Sequence, residues 1–410
     1  MSTTVGGTLA LGTRARLSLM MFLQYAVWGA WFVPFATYLT RNGLADSVGT
    51  IYSAQGWAAI AAPLFVGAIA DRYFSAEKVM GILHLTAGVL LFVLSRTGAD
   101  AGVMFFATLG VLLAFMPTIA LSNTIALNAL SDSERQFPAI RVFGTIGWII
   151  AGLIVSFVLP GEAERTALPL LLAAAVSIVY GLYAFTLPNT PPKASRERAS
   201  LVALLGLDAI RAGDRSFWVL IVCSMLMMIP FSFYNVYANP FLDDIGVNNP
   251  AATQTIGQVS EVGFLLLLPV FFRLVGIKGV LFVGMAAWAV RYLIFANAFT
   301  DDGPILPLIY LGLALHGVGF DFVFVAATIW VGNHFAAEAS GRAQSFLALM
   351  TWGVGYLIGS NVANAVQVGA AGGGGTDWHG FWLLPAGFAG ITAVMFLLLF
   401  RNRHAPAPAI

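Results

Sequence analysis

Apolar residues run along this chain in twelve long blocks separated by short polar breaks: 17–40, 48–70, 77–96, 102–130, 137–159, 166–187, 216–241, 253–275, 278–299, 304–333, 341–367 and 379–400. Each block is close to the roughly 20 apolar residues that cross a bilayer as a helix. Backbone groups in lipid must bond within their own segment, so the blocks predict helices and not strands of a barrel. The longest polar interruption, 188–215, begins PNTPPKASRERAS and separates six blocks from six. This predicts an N-terminal six-helix bundle (1–187), a cytoplasmic linker (188–215) and a C-terminal six-helix bundle (216–410). Within the linker, LVALLGLDAIRAG predicts a short interfacial helix. The glycine run GAAGGGGTD at 369–377 predicts a flexible outer loop; it lacks the strand-then-helix setting of a phosphate-binding loop.

Composition agrees with the pattern. Of 410 residues, 59% are hydrophobic and 10% are charged. Soluble domains carry about 25% charged residues, and so few charges cannot cover a water-exposed surface. The fold class is therefore an all-α integral membrane protein. Arg14 and Arg16 precede the first block as in a signal peptide. That block is too long and has no small-residue cleavage pattern, so a retained span is expected. The single cysteine, Cys223, excludes an intrachain disulfide, and no Cys/His cluster predicts a metal site or cofactor. A net charge of +1 gives no electrostatic grip on nucleic acid. No nucleophile–base or metal constellation points to an enzyme. Nothing signals an oligomer, and a monomer is expected.

Lysine and arginine placement sets orientation. With the N-terminus in the cytoplasm, fifteen of the twenty basic residues fall on the cytoplasmic side, three fall outside (Arg41, Arg96 and Arg165), and Arg141 and Arg291 lie within blocks. An odd number of spans would break this bias, so twelve spans with both termini inside are expected.

Two six-helix halves joined by a basic linker resemble the major facilitator transporters, with two pseudo-symmetric halves, a substrate site near the midplane and alternating access. GAIADRYFSAEK, 67–78, is similar to the loop signature of that superfamily. Asp71 and Arg72 match it and are candidate gating residues; the basic ending is reduced to Lys78.

Ionisable residues at membrane depth cost at least about 2.5–3.5 kcal/mol each and are functional candidates by default. Arg141, Glu261, Arg291 and Asp321 are such residues. Two positive and two negative charges can neutralise one another. Arg141 thus has two readings, a counter-charge on another helix or the ligand, or snorkelling towards the near interface. Arg291, on the ninth block, reads best as a buttress for an acid. Helical spacing gathers further polar residues into stripes: Arg141, Thr145 and Trp148; Gln258 and Glu261; Ser232, Asn235 and Asn239; Gln24, Trp28 and Trp31. His316 lies one turn before Phe320, which adjoins Asp321. Such stripes either glue helices together or line a cavity. A cavity of amides, balanced charges and aromatic rings suits a neutral, polar, partly aromatic solute such as a nucleoside, or a sugar. A buried acid that takes and releases a proton would couple uptake to a proton gradient.

The stretches FLQYAVWGAWF, IYSAQGWAAIAAPLFVGAIADRYFSAEKV, AFMPTIALSNTIAL, FPAIRVFGTIGWI, QVSEVGFLLLLPVFFRLVGIK, AWAVRYLIFA and HGVGFDFVF, spread over both halves, resemble the bacterial nucleoside:proton symporter family, the nucleoside permease branch of the major facilitator superfamily. The resemblance implies proton-coupled import of nucleosides across the bacterial inner membrane. It implies substrate contacts at Arg141, Thr145, Trp148, Asn235, Gln258, Glu261, Phe320 and Asp321. Ser232 and His316 stand where the family has a glutamine and a tyrosine, and both are candidate pocket residues. Glu261 and Asp321 are the candidate proton-coupling acids. A sugar, glycoside or other neutral metabolite on the same fold remains the alternative cargo.

Overall fold

The computed structural model describes residues 11–65, 74–192, 201–207, 209–372 and 375–401. Asp71 and Arg72, with most of the loop signature around them, lie outside the described residues. Nine helical stretches among the described residues are long and apolar enough to cross a membrane. Two of these, Leu11–Pro63 and Pro250–Ala296, are each long enough for two crossings, and Leu168–Ala184 is a shorter apolar helix. Resolved in this way, the described residues give twelve spans, the number expected from the apolar blocks.

The first span comprises Leu11–Trp31 and Phe35–Leu39 and ends at a turn through Gly43 (φ 84°), a left-handed conformation that suits glycine. The second comprises Val48–Tyr52 and Ala54–Phe65. The third to sixth are Ala76–Leu94, Ala101–Ala129, Ser133–Phe157 and Leu168–Ala184. The seventh is Arg215–Asp244. The eighth and ninth lie in Pro250–Ala296, divided at Gly276, where φ is 65°. The tenth runs through Leu306–Phe320, a π-helical turn at Asp321–Val325, and Ala326–His334. The eleventh is Ala337–Ala348, a π-helical turn at Leu349–Gly355, and Tyr356–Ala370; the twelfth is Trp378–Leu399. Asp100, Asp132, Asp214 and Asp377 cap the starts of the fourth, fifth, seventh and twelfth spans with their carboxylates, satisfying backbone donors that no helix can satisfy itself.

The chain divides into two compact units: Met1–Ala45 with Trp57–Ala199, and Asp46–Gly56 with Ser200–Ile410. The start of the second span therefore belongs to the second unit. Its glycines explain this. A Cβ on Gly49 would lie 2.3 Å from the Ser360 carbonyl oxygen, and one on Gly56 would lie 2.8 Å from that of Gly353. Only glycine lets these backbones approach so closely. Gly49 N–H also donates to Asn364 Oδ1 at 2.8 Å, and Asn364 Nδ2 donates to the Asp46 carbonyl at 2.8 Å.

Two loops carry short antiparallel ladders, Phe299–Thr300 with Gly303–Pro304 and Ala371–Gly372 with Gly375–Thr376. The glycine run expected as a flexible loop thus contains a small hairpin. In the linker, Leu201–Leu204 and Ala209–Ala212 form single helical turns. Gly206 (φ 67°) sits so close to the Arg342 carbonyl that a Cβ would fall 2.1 Å from it.

Candidate functional site

In the first unit, the first and fifth spans cross through three glycines. A Cβ on Gly29 would meet Trp148 Cα at 3.0 Å, and one on Gly147 would meet the Phe22 carbonyl oxygen at 2.2 Å. The third, Gly144, leaves room for two side chains to stack. Arg141 Cζ lies 4.2 Å from the Tyr25 ring centroid, and Arg141 Nη2 donates to Tyr25 Oη at 2.8 Å. No acid among the described residues pairs with Arg141. The guanidinium is thus held by a phenol, through a cation–π contact and a hydrogen bond. Arg141 is half-buried, as are Thr145 and Trp148. The Trp148 ring meets Trp28 edge to face at 5.5 Å, and Trp28 in turn packs on Phe32 and Phe115.

The stripe through Gln24 divides in two. Gln24 is fully buried and works as helix glue: its Nε2 donates to Thr118 Oγ1 at 2.8 Å, and its Oε1 lies 3.1 Å from His84 Nε2. Trp31 is buried in the core. The face that carries Arg141 runs instead through Tyr25, Trp28 and Phe32. Tyr25 was legible at i, i+3 and i+7 spacing in QYAVWGAWF, one residue out of register with the chosen stripe.

In the second unit, Ser232, Asn235 and Asn239 have different environments. Ser232 is fully buried, donates to the Met228 carbonyl at 2.8 Å, and sits where a Cβ on Gly359 would come within 2.6 Å of its oxygen. It occupies the contact between the seventh and eleventh spans. Asn235 is half-buried and its Oδ1 accepts from Tyr356 Oη at 2.6 Å. That bond turns the amide nitrogen away from Tyr356. Asn239 is buried.

The eighth and tenth spans cross backbone to backbone. A Cβ on Gly317 would lie 2.6 Å from Glu261 N, and Ser260 Oγ donates to the Ala314 carbonyl. The crossing brings His316 beside Glu261, with His316 Nε2 4.0 Å from Glu261 Oε2. His316 Nδ1 lies 3.1 Å from Arg291 Nη1. Arg291 is fully buried; its Cζ stands 3.4 Å from the Tyr234 ring centroid and 5.0 Å from that of Trp288. Gln258, one turn before Glu261, has a buried Oε1 without a hydrogen-bond partner among the described residues. Asp321 is fully buried at the start of the π-helical turn, and neither of its oxygens has such a partner. The Asp321 and Glu261 carboxylates are near enough to repel one another. π-Helical turns recur at functional sites because they re-aim side chains within a helix.

Phe320 is half-buried and packs among aromatic rings: His316 stacks on it at 5.6 Å, and Phe231, Phe324 and Trp352 surround it. A cavity of about 190 Å³ opens within this unit, lined by Ser224, Phe324, Thr328, Gln344, Thr351 and Trp352 among others. None of the residues singled out in the sequence lines it. Among the described residues no group of three or more His, Cys, Asp or Glu side chains is placed to hold a metal ion.

These arrangements offer donors, acceptors and flat rings for a polar aromatic solute, and two neighbouring acids for a proton. Comparison with known proteins agrees. A family model described as nucleoside H+ symporter matches residues 11–405. YegT of Escherichia coli is 38% identical over 411 residues, covering 97% of this chain and 96% of that one. The xanthosine permease of Escherichia coli is 34% identical, covering 95% and 96%. The crystal structure of nucleoside transporter NupG superposes with a TM-score of 0.85 at 30% identity, covering 96% of this chain and 100% of that one.

Proposed function

The chain belongs to the nucleoside H+ symporter family, a transporter that imports nucleosides with protons, and from that premise we propose which residues do the work. Arg141, Thr145 and Trp148 in the first unit, and Asn235, Gln258, Glu261, Phe320 and Asp321 in the second, contact the nucleoside. Arg141 and the amides pair with ribose hydroxyls and base edges, which are themselves arrays of donors and acceptors. Trp148 and Phe320 supply apolar faces for the base. His316 acts beside Glu261, and Ser232 shapes the wall at the eleventh span. Glu261 and Asp321 carry the coupled proton. Asp71 and Arg72 act at the cytoplasmic gate. The protein lies in the bacterial inner membrane with both termini in the cytoplasm, a placement supported by the bias of its basic residues.

The observation that carries this reading is Asp321. A carboxylate buried with no donor among the described residues is an expensive group unless its charge is compensated, and taking up a proton removes that charge. A second acid stands within electrostatic reach. The test is uptake of labelled uridine into proteoliposomes, with and without an inward proton gradient, for the wild type and for Arg141→Ala. Gradient-stimulated uptake that the folded Arg141→Ala variant lacks supports the assignment. No uridine uptake by folded protein that accumulates another solute overturns the choice of cargo.

A further inference from the structure

The cavity of the second unit takes its walls from the seventh, tenth and eleventh spans, and none of the side chains that line it ionises. It lies towards the ends of the tenth and eleventh spans that are joined in sequence. Thr328 stands six residues, about 9 Å of helix, before His334, the last residue of the tenth span. Under the orientation proposed above this is the cytoplasmic end. Both π-helical turns found among the described residues of this unit reach the cavity, Asp321–Val325 through Phe324 and Leu349–Gly355 through Thr351 and Trp352. Such turns are rare and are frequent at functional sites.

The hydrogen bonds of the wall decide what it can bind. Thr328 Oγ1 donates to the Phe324 carbonyl at 3.0 Å, and Thr351 Oγ1 to that of Leu347 at 2.8 Å. A hydroxyl has one proton, so both present only lone pairs to a guest. Gln344 Nε2 donates to Ser340 Oγ at 3.4 Å, and the amide oxygen adds a further acceptor. An uncharged wall rich in acceptors suits a neutral solute rich in donors, and it offers a phosphate no cation. Trp352 is half-buried, and its ring centroid lies 6.3 Å from that of Phe320 and 6.0 Å from that of Phe324. It therefore belongs both to the cavity and to the ring cluster around Phe320. The volume of about 190 Å³ is that of about six waters at about 30 Å³ each. Pockets that enclose a drug-sized ligand start at about 300 Å³, so this one has room for a sugar ring and not for a whole nucleoside.

We propose that this cavity is a second nucleoside site, a weaker station between the Phe320 ring cluster and the cytoplasm. The ribose hydroxyls donate to Thr328, Thr351 and Gln344, and the base lies against Trp352, one ring on from Phe320. The station lies beyond the contacts assigned above and rests on the nucleoside reading for its cargo.

Cys223 is buried and is the single cysteine of the chain. Ala348→Cys in a Cys223→Ala background therefore places one thiol on the cavity wall, at an exposed position. The rate of its labelling by N-ethylmaleimide is measured with uridine, with ribose and with neither, on purified protein that keeps the wild-type melting temperature. Both solutes are expected to slow labelling severalfold, with half-protection by uridine at concentrations above the uptake KM. Thr328→Val removes the acceptor and keeps the shape. It is expected to raise the half-protecting concentration about 2- to 10-fold, the scale of one net hydrogen bond, and to leave the calorimetric affinity of the tighter site unchanged. Protection is expected to persist in Arg141→Ala, since Arg141 is no part of this wall. Labelling that neither solute slows, protection that Arg141→Ala abolishes, or a half-protecting concentration that Thr328→Val leaves unchanged overturns the station. Protection by ribose alone upholds a sugar site here and counts against the nucleoside assignment, so the two failures are told apart.

Discussion

The Tyr356 hydroxyl, from the eleventh span, donates to Asn235 Oδ1, on the seventh, at 2.6 Å. The bond decides which end of the amide is presented elsewhere. With the oxygen engaged, Asn235 offers its nitrogen as a donor. Tyr356→Phe removes the hydroxyl and keeps the ring, which is fully buried. A typical net hydrogen bond of about 0.5–1.5 kcal/mol corresponds to a rise of about 2- to 10-fold in the uridine KM, with little change in melting temperature. Uptake kinetics in proteoliposomes check this. An unchanged KM would mean that the amide is oriented by something other than Tyr356.

Gly144 governs the other half of the recognition chemistry. A Cβ there would fall 2.7 Å from both Arg141 Nη1 and Tyr25 Cδ2. Gly144→Ala must therefore displace the stacked pair, at a cost of about 1–3 kcal/mol for overpacking. Weaker uridine binding is expected, with the Arg141→Ala phenotype approached but the charge retained. Gly263, where an added Cβ meets nothing within 4 Å, is the control. Direct binding by calorimetry separates the two variants; equal affinity in both would remove Gly144 from the account.

Gly317 carries the crossing of the eighth and tenth spans. A Cβ would lie 2.5 Å from the Ser260 carbonyl carbon and 2.6 Å from Glu261 N, both backbone atoms that cannot swing aside. Gly317→Ala is expected to lower the melting temperature clearly, as overpacking of this kind costs about 1–3 kcal/mol. Gly341→Ala, where nothing lies within 4 Å, is expected to leave it near the wild-type value. Similar melting of the two variants would contradict the crossing.

The spans were legible because burial in lipid leaves a composition signal that no tertiary contact can mask. The break between the eighth and ninth blocks fell at 276–277, and Gly276 with φ 65° is the residue that makes it. The first helix already holds Leu11, Arg14 and Arg16, ahead of its apolar block, because a helix continues beyond the hydrophobic edge. Partners were less legible. Charge balance gave Arg141 a counter-charge on another helix or on the ligand, or a place at the near interface, and gave no hint of Tyr25, whose ring face and hydroxyl both suit a guanidinium. Periodicity put Gln24 on a candidate cavity face, yet its amide is used by Thr118 and His84 on other spans. The π-helical turn at Asp321 left no trace in the pattern, since the stretch around it, GFDFVFVAATIW, is apolar almost throughout and has no periodicity to interrupt. Tyr356 and Trp352 were missed because they act from the eleventh span, where no charged residue drew attention to its inner face.

The most direct test of the central claim is the comparison of gradient-driven uridine accumulation with uridine counterflow in Asp321→Asn. Asparagine keeps the size of the side chain and cannot carry the proton. The account expects accumulation to fall to the level seen without a gradient, while counterflow persists, because the carrier still cycles with nucleoside but no longer draws on the gradient. Accumulation of uridine by Asp321→Asn at the wild-type level under an inward proton gradient would contradict it.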